Sequence, residues 1–252
     1  MEILGIDIGG SGIKGAPVDI ETGQLSQPRH RIPTPQPATP EAVVDVVDQI
    51  VKHFDWHDAI GCTFPARIKR GIARTAANVD KSWLGTNVEN LIETKTGCAS
   101  VVLNDADAAG VAEMAFGAGR DRDDLVLLLT FGTGIGSALF NDRMLVPNTE
   151  MGHVQMHNVP AEHYAADSAR KKNNLKWEEW AGRVQEYLEY IEFLLAPDLI
   201  ILGGGISKSN KKAKYFDQLR TDADLVTAQL QNDAGIIGAA YRARQLLVKS
   251  LG

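Results

Sequence analysis

The chain has little cysteine: Cys62 and Cys98 are the only two in 252 residues, and no C-x-x-C occurs. That excludes a disulfide framework and a cysteine-rich zinc site, and a reducing cytoplasm is the expected setting. No apolar run approaches the roughly 18 residues that a membrane-spanning helix needs, and no basic leader precedes the first apolar stretch. Net positive charge is also lacking. The net charge is −6 and the sequence pI about 5.5, so neither a nucleic-acid nor a membrane partner is expected. No G-K-[ST] triplet is present, which excludes a Walker A loop. What is present is 44% hydrophobic residues, enough to bury one large core or two smaller ones.

Glycine is placed with purpose. Gly10, Gly12 and Gly15 spell G-x-G-x-x-G after the apolar run Ile3, Leu4, Ile6, Ile8. A dinucleotide fold would need a helix next and an acid about 20 residues on. The following "APVDIETGQL" instead reads as a second strand and a hairpin, with Pro17 and the turn Thr22-Gly23. A strand–glycine loop–strand can still cradle phosphate through converging backbone N–H groups. Asp7, just before the glycines, is where a carboxylate would hold a hydrated Mg²⁺. Residues 124–146 repeat the pattern, with a strand, the loop Gly132-Thr133-Gly134-Ile135-Gly136 and a return strand turning at Asn141-Asp142. A third apolar strand, in 197–207, runs into Gly203-Gly204-Gly205. The recurrence suggests a duplicated architecture. Each loop taken singly also reads as a tight turn.

The remaining pattern is α/β. Residues 26–40 form a proline-rich surface connection. Thr39-Pro40-Glu41 opens a helix to about His53, with Val43, Val46, Val47 and Ile50 on one stripe. "TNVENLIETKTG" is a helix closed by Gly97, residues 174–195 are helical, and 234–248 form a final alanine-rich helix.

Chemistry concentrates at few places. The corner Asn104-Asp105 lies between a strand and a helix. There a carboxylate can take a proton from a substrate hydroxyl while the amide orients it, although both residues are also favoured helix caps. Glu150 and His153, three apart, can share one face and grip vicinal hydroxyls, or be a surface Glu beside a satisfied His. Asn78 and Trp83 suggest a polar loop with an aromatic wall. "SKSNKKAK" (207–214) and "RKK" (170–172) are basic runs in an acidic chain, either a polyanion track or solvated helix surface.

Taken in order, "DIGGSGIKG", "TFPARIKRGIARTAANVDKSW", "VVLNDADAAGVAE", "LTFGTGIGSAL", "TEMGH" and "LGGGIS" resemble the ROK sugar kinases, and among them the bacterial polyphosphate glucokinases. The resemblance runs from about residue 3 to the last helix. It implies an actin/hexokinase-like (ribonuclease-H-like) duplicated two-lobe α/β fold with an interlobe cleft. The small lobe would be 1–105 plus 234–252 and the large lobe 106–233. It implies phosphoryl transfer to the 6-hydroxyl of glucose from polyphosphate or ATP, with Mg²⁺, in a cytoplasmic homodimer. Asp105 matches the base, and Asn78, Asn104, Glu150 and His153 match the sugar contacts. Asp7 matches the Mg²⁺ position, acting through water. Gly9, Gly10, Ser11, Gly12, Lys14, Gly132, Thr133 and Gly134, with Gly203, Gly204, Gly205 and Lys208, fall at phosphate-binding positions. Many relatives carry a cysteine zinc cluster after E-x-G-H, and this chain does not, so no zinc is expected. The sugar-contacting Glu that follows that cluster then needs a substitute; Glu162 and Glu178 are the candidates. The competing readings are an ATP-only kinase of another hexose and a sugar-sensing ROK protein without catalysis.

Overall fold

The structure, a computed structural model, describes residues 1–76 and 79–249; the expected sugar contact Asn78 falls outside them. The chain divides into two units, Met1–Ala112 with Asp233–Gly252, and Glu113–Asn232.

In the first unit, β1 (Glu2–Ile8) and β2 (Ile13–Asp19) pair antiparallel around the first glycine loop, with Asp7 opposite Lys14. β3 (Gln24–Leu25) and β4 (His30–Ile32) both pair with β2. β4 corrects the expectation of a plain connection over 26–40. Three residues with two basic side chains carry no legible alternation, and the strand exists because β2 offers it an edge. α1 (Pro40–His53) follows, capped by the Thr39 side chain on the Ala42 N–H. Its stripe of Val43, Val46, Val47 and Ile50 is buried, each side chain contributing about 1.5–3 kcal/mol.

β5 (Ile60–Phe64) lies parallel to β1 and is buried throughout. A small hairpin, β6 (Ile68–Lys69) and β7 (Ile72–Ala73), and α2 (Val88–Thr96), closed by left-handed Gly97, lead to β8 (Ser100–Asn104), parallel to β5. The sheet order is β3-β2-β1-β5-β8. α3 (Asp105–Phe116) then starts without a linker. The division between units, after Ala112, falls within this helix.

The second unit repeats the plan. β9 (Val126–Phe131) and β10 (Ile135–Asn141) pair antiparallel around the second glycine loop, and β11 (Met144–Val146) returns through Asp142 and Arg143, both at positive φ. A second small hairpin, β12 (Gln155–Met156) and β13 (Val159–Pro160), precedes α4 (Ala161–Ala165), α5 (Asp167–Lys172) and α6 (Trp177–Leu195). β14 (Leu199–Gly204) runs parallel to β9, α7 (Ser209–Lys212) follows, and β15 (Asp224–Thr227) runs parallel to β14. The order β11-β10-β9-β14-β15 reproduces that of the first sheet, one antiparallel hairpin followed by two parallel strands. This is the duplication that the two glycine hairpins announce in the sequence.

α8 (Ala234–Lys249) returns to the first unit and packs on β1 and β5. Glycine makes this approach possible. A Cβ at Gly5 would overlap the Ile236 carbonyl, and one at Gly61 the Ala239 carbonyl. No described helix is long and apolar enough to cross a membrane.

Candidate active site

In the first unit three parallel strands end side by side. The register sets Asp7 opposite Thr63, Thr63 opposite Leu103, and Phe64 opposite Asn104. Asp7 and Asp105 therefore mark the carboxyl edge of one sheet, two strand spacings or about 10 Å apart across it. That edge is where open α/β sheets bind ligands.

Asp7 is held by its surroundings. Its Oδ1 accepts from the Thr63 hydroxyl at 2.6 Å, and that hydroxyl accepts from the Ile8 N–H at 3.1 Å. Its Oδ2 pairs with Lys14 Nζ at 3.1 Å. Thr63 is a site residue that the sequence reading passed over; the signal was a lone hydroxyl in the apolar strand IGCTF. Gly235, in the first turn of α8, leaves space for the carboxylate, since a Cβ there would come within 3.0 Å of Asp7 Cγ.

The first glycine loop is braced from inside, from β4 and from the segment just after it. Gly9 N–H donates to the Gly12 carbonyl at 3.2 Å, Thr34 donates to the Gly9 carbonyl at 2.5 Å, and Arg31 to the Ser11 carbonyl at 2.8 Å. The N–H groups of Gly10 and Ser11 have no partner among the described residues, and they are the donors left for an anion. A cavity of about 360 Å³ opens beside the loop, lined by Gly9, Gly10, Thr34, Phe64, Pro65 and Asp80. Its size suits a small ligand.

At the β8–α3 corner the capping role weighed for Asn104 is seen directly. Asn104 Oδ1 accepts from the N–H groups of Ala106 (2.9 Å) and Asp107 (3.3 Å), a true helix cap, and its amide nitrogen donates to the Ala66 carbonyl at 3.2 Å. One amide hydrogen then remains for a substrate. Asp105 is the first residue of α3 and is exposed, with Oδ1 at 2.9 Å from the Ala106 N–H. Trp83 is corrected. It is fully buried, donates its indole N–H to the Ala38 carbonyl at 2.9 Å and packs on Phe64, so it is core and not a sugar-facing wall.

In the second unit the glycine turns after β9 and β14 share one sheet edge, with Thr130 opposite Gly203 and Phe131 opposite Gly204. Gly204 adopts φ +79°, and a Cβ there would meet the Phe131 carbonyl at 2.6 Å. Gly132 N–H closes on the Gly134 carbonyl (3.0 Å), and Ser168 on α5 donates from its N–H to Gly132 and from its hydroxyl to the Thr133 carbonyl. The N–H groups of Thr133 and Gly134 have no partner among the described residues.

Beside this loop, His153 stands between two carboxylates. Its Nε2 is 3.6 Å from Glu150 and its Nδ1 3.7 Å from Glu162. Glu162, on α4, also accepts from the Ile135 N–H at 3.4 Å. Both distances exceed a direct hydrogen bond, and the imidazole is exposed. Glu162 therefore joins Glu150 and His153, whereas Glu178 is exposed in the first turn of α6.

The two basic runs also meet within this unit. Buried Asp167 pairs with Arg170 (2.9 Å), Lys171 (2.8 Å) and Lys211 (3.8 Å). Burial pushes the Asp167 carboxyl up, but hydrogen bonds from Lys171 and Arg170 outweigh it and hold the group below its ordinary range. Lys211 Nζ stands 3.8 Å from the Cβ position of Gly205. Lys208 immediately precedes α7 and is exposed. A larger cavity of about 620 Å³ opens at the other edge of this sheet, and its Asp124 and Asp224 are bound by Arg122.

Residues 3–166 match the ROK family. The polyphosphate glucokinase of Mycobacterium tuberculosis (strain CDC 1551 / Oshkosh) is 50% identical over 238 residues, covering 94% of this chain and 89% of that protein. Among solved structures, an inorganic polyphosphate/ATP-glucomannokinase from Arthrobacter sp. strain KM superposes with TM-score 0.92 at 44% identity, covering 97% of this chain and 99% of the other. A ROK family glucokinase from Streptomyces griseus, in complex with glucose and AMPPNP, gives TM-score 0.81 at 25% identity, covering 97% and 100%.

Proposed function

The chain belongs to the ROK family and has its actin/hexokinase-like α/β fold, and from this premise we propose that it is a polyphosphate glucokinase, transferring a terminal phosphoryl group to the 6-hydroxyl of glucose. The observation that carries the reading furthest is the exposed Asp105 on the same sheet edge as Asp7 and the first glycine loop. Formation of glucose 6-phosphate with polyphosphate as sole donor is its test.

Asp105 takes the 6-hydroxyl proton as that oxygen attacks the terminal phosphorus in line, the bond from that phosphorus to the rest of the donor breaks and the shortened chain leaves with the electron pair, and Asn104 directs the hydroxyl with its remaining N–H. Asn78, outside the described residues, is kept in this reading as a further sugar contact. Glu150, His153 and Glu162 grip other sugar hydroxyls. Gly10 and Ser11 in one loop and Thr133 and Gly134 in the other present N–H donors to phosphate oxygens, and Gly203–Gly205 with Lys208 line the donor's tail. Mg²⁺ belongs to the same reading. Asp7 is a single oriented carboxylate beside a phosphate loop, which fits an ion that takes one or two carboxylates and fills its shell with waters and substrate phosphates. When bound, the ion offsets charge on the transferring group. The two free, buried thiols suit a cytoplasmic setting. Exposed Tyr190, Phe193 and Leu194 on α6 supply apolar surface for a homodimer. Similarity to the Arthrobacter inorganic polyphosphate/ATP-glucomannokinase favours ATP as a second donor and mannose as a second acceptor.

Two variants divide the roles. Glu162→Gln is expected to weaken glucose about tenfold, the loss of one charge-assisted hydrogen bond, with the donor KM unchanged. Equilibrium glucose binding checks it. Lys208, Lys211 and Lys212 changed together to Glu are expected to raise the polyphosphate KM by about tenfold or more and the ATP KM far less, because a long polyanion meets more of the joined basic surface. Steady-state kinetics with both donors check this, and equal effects would remove the track.

A further inference from the structure

The sequence singles out Lys14 as the cation of the first glycine loop, yet the structure pairs Lys14 with Asp7 at 3.1 Å. Another cation is brought to the loop from β4. Arg31 stands opposite Lys14 in the β2–β4 register, and its Nη2 donates to the Ser11 carbonyl at 2.8 Å. Its guanidinium lies where a Cβ at Gly12 would be, so the absent side chain at Gly12 lets the planar cation rest directly on the loop backbone.

Three further facts separate Arg31 from a simple brace. It forms no ion pair among the described residues, whereas Arg29, Arg122 and Arg170 are bound by Asp233, Asp124 and Asp167. One hydrogen bond to Ser11 leaves most of the five guanidinium N–H donors open. The strand that carries it is fixed independently, since His30 stacks on His53 of α1 with ring centroids 3.8 Å apart, and Thr34 donates to the Gly9 carbonyl. An exposed guanidinium, held in place and uncompensated beside the N–H groups of Gly10 and Ser11, is a phosphate contact in waiting.

We propose that Arg31 binds the phosphate chain of the donor at the first glycine loop, as a residue that touches substrate. This assignment rests on the polyphosphate-kinase reading, and it adds a donor contact from the proline-rich segment that neither glycine loop supplies.

The test is calorimetric binding of medium-chain polyphosphate to the wild type, Arg31→Gln and Arg31→Lys across a series of salt concentrations. Arg31→Gln keeps a donor for the Ser11 carbonyl but loses the charge. Its affinity is expected to fall about tenfold, and the slope of log affinity against log salt to shrink by about one, as one phosphate contact is lost. Arg31→Lys should keep the wild-type slope, and glucose binding should be the same in all three proteins. A wild-type slope and affinity in Arg31→Gln would overturn the assignment. So would a loss of turnover in both variants with the slope unchanged, because that marks a brace of the loop. The slope is read without catalysis, so a wild type that yields no product with any donor counts against the kinase reading, while the Arg31 assignment is still decided by binding.

Discussion

Asp105→Asn is expected to lower glucose phosphorylation by about a thousandfold while glucose still binds with near wild-type affinity, since a positioned general base typically contributes 10²–10⁴-fold. The substitution is nearly isosteric, and Asn104 would still cap α3 through the N–H groups of Ala106 and Asp107. A broad fall in stability is therefore not expected, and what disappears is the group that accepts the hydroxyl proton. Steady-state kcat with polyphosphate and with ATP, together with equilibrium glucose binding, separates the two effects. An equal loss with both donors follows from a role on the acceptor side. Near-normal turnover would leave Asp105 as the first residue of a helix and nothing more.

The second large effect is on stability. Gly61→Ala is expected to cost about 3 kcal/mol or more, because the new Cβ would overlap the Ala239 carbonyl carbon and oxygen. Backbone cannot rotate out of the way as a flexible side chain can. Relief requires α8 to back off β5, and with it the packing against β1. Gly182→Ala is the control. Gly182 lies in α6, is exposed and has nothing within 4 Å of its Cβ position, so alanine should stabilise the helix by about 0.5–1 kcal/mol. Urea midpoints of the two variants should move in opposite directions. A neutral Gly61→Ala would mean that the contact between α8 and β5 is looser than described.

The two strand–glycine–strand units were legible because local chemistry decides them. Gly132 and Gly134 flank a turn between apolar runs, and Thr39-Pro40 starts α1 through a side-chain cap and a fixed φ. The strand order was not legible, since parallel neighbours such as β1 and β5 meet only after a helix has crossed between them. β4 was missed because its partner, not its own pattern, makes it a strand. Trp83 was misplaced because a loop aromatic in sequence became core on Phe64. Glu162 could be named but not chosen, and its approach to His153 is a tertiary fact. The proposal for Arg31 likewise rests on an ion pair and a strand pairing, neither visible along the chain.

The central claim is met most directly by incubating the purified protein with glucose, Mg²⁺ and medium-chain polyphosphate, free of nucleotide, and following glucose 6-phosphate. A steady yield of that ester as the chain shortens is the predicted result, with ATP in place of polyphosphate giving the same product. No sugar phosphate from either donor, while glucose still binds, would contradict the account and favour a sugar-binding protein without catalysis.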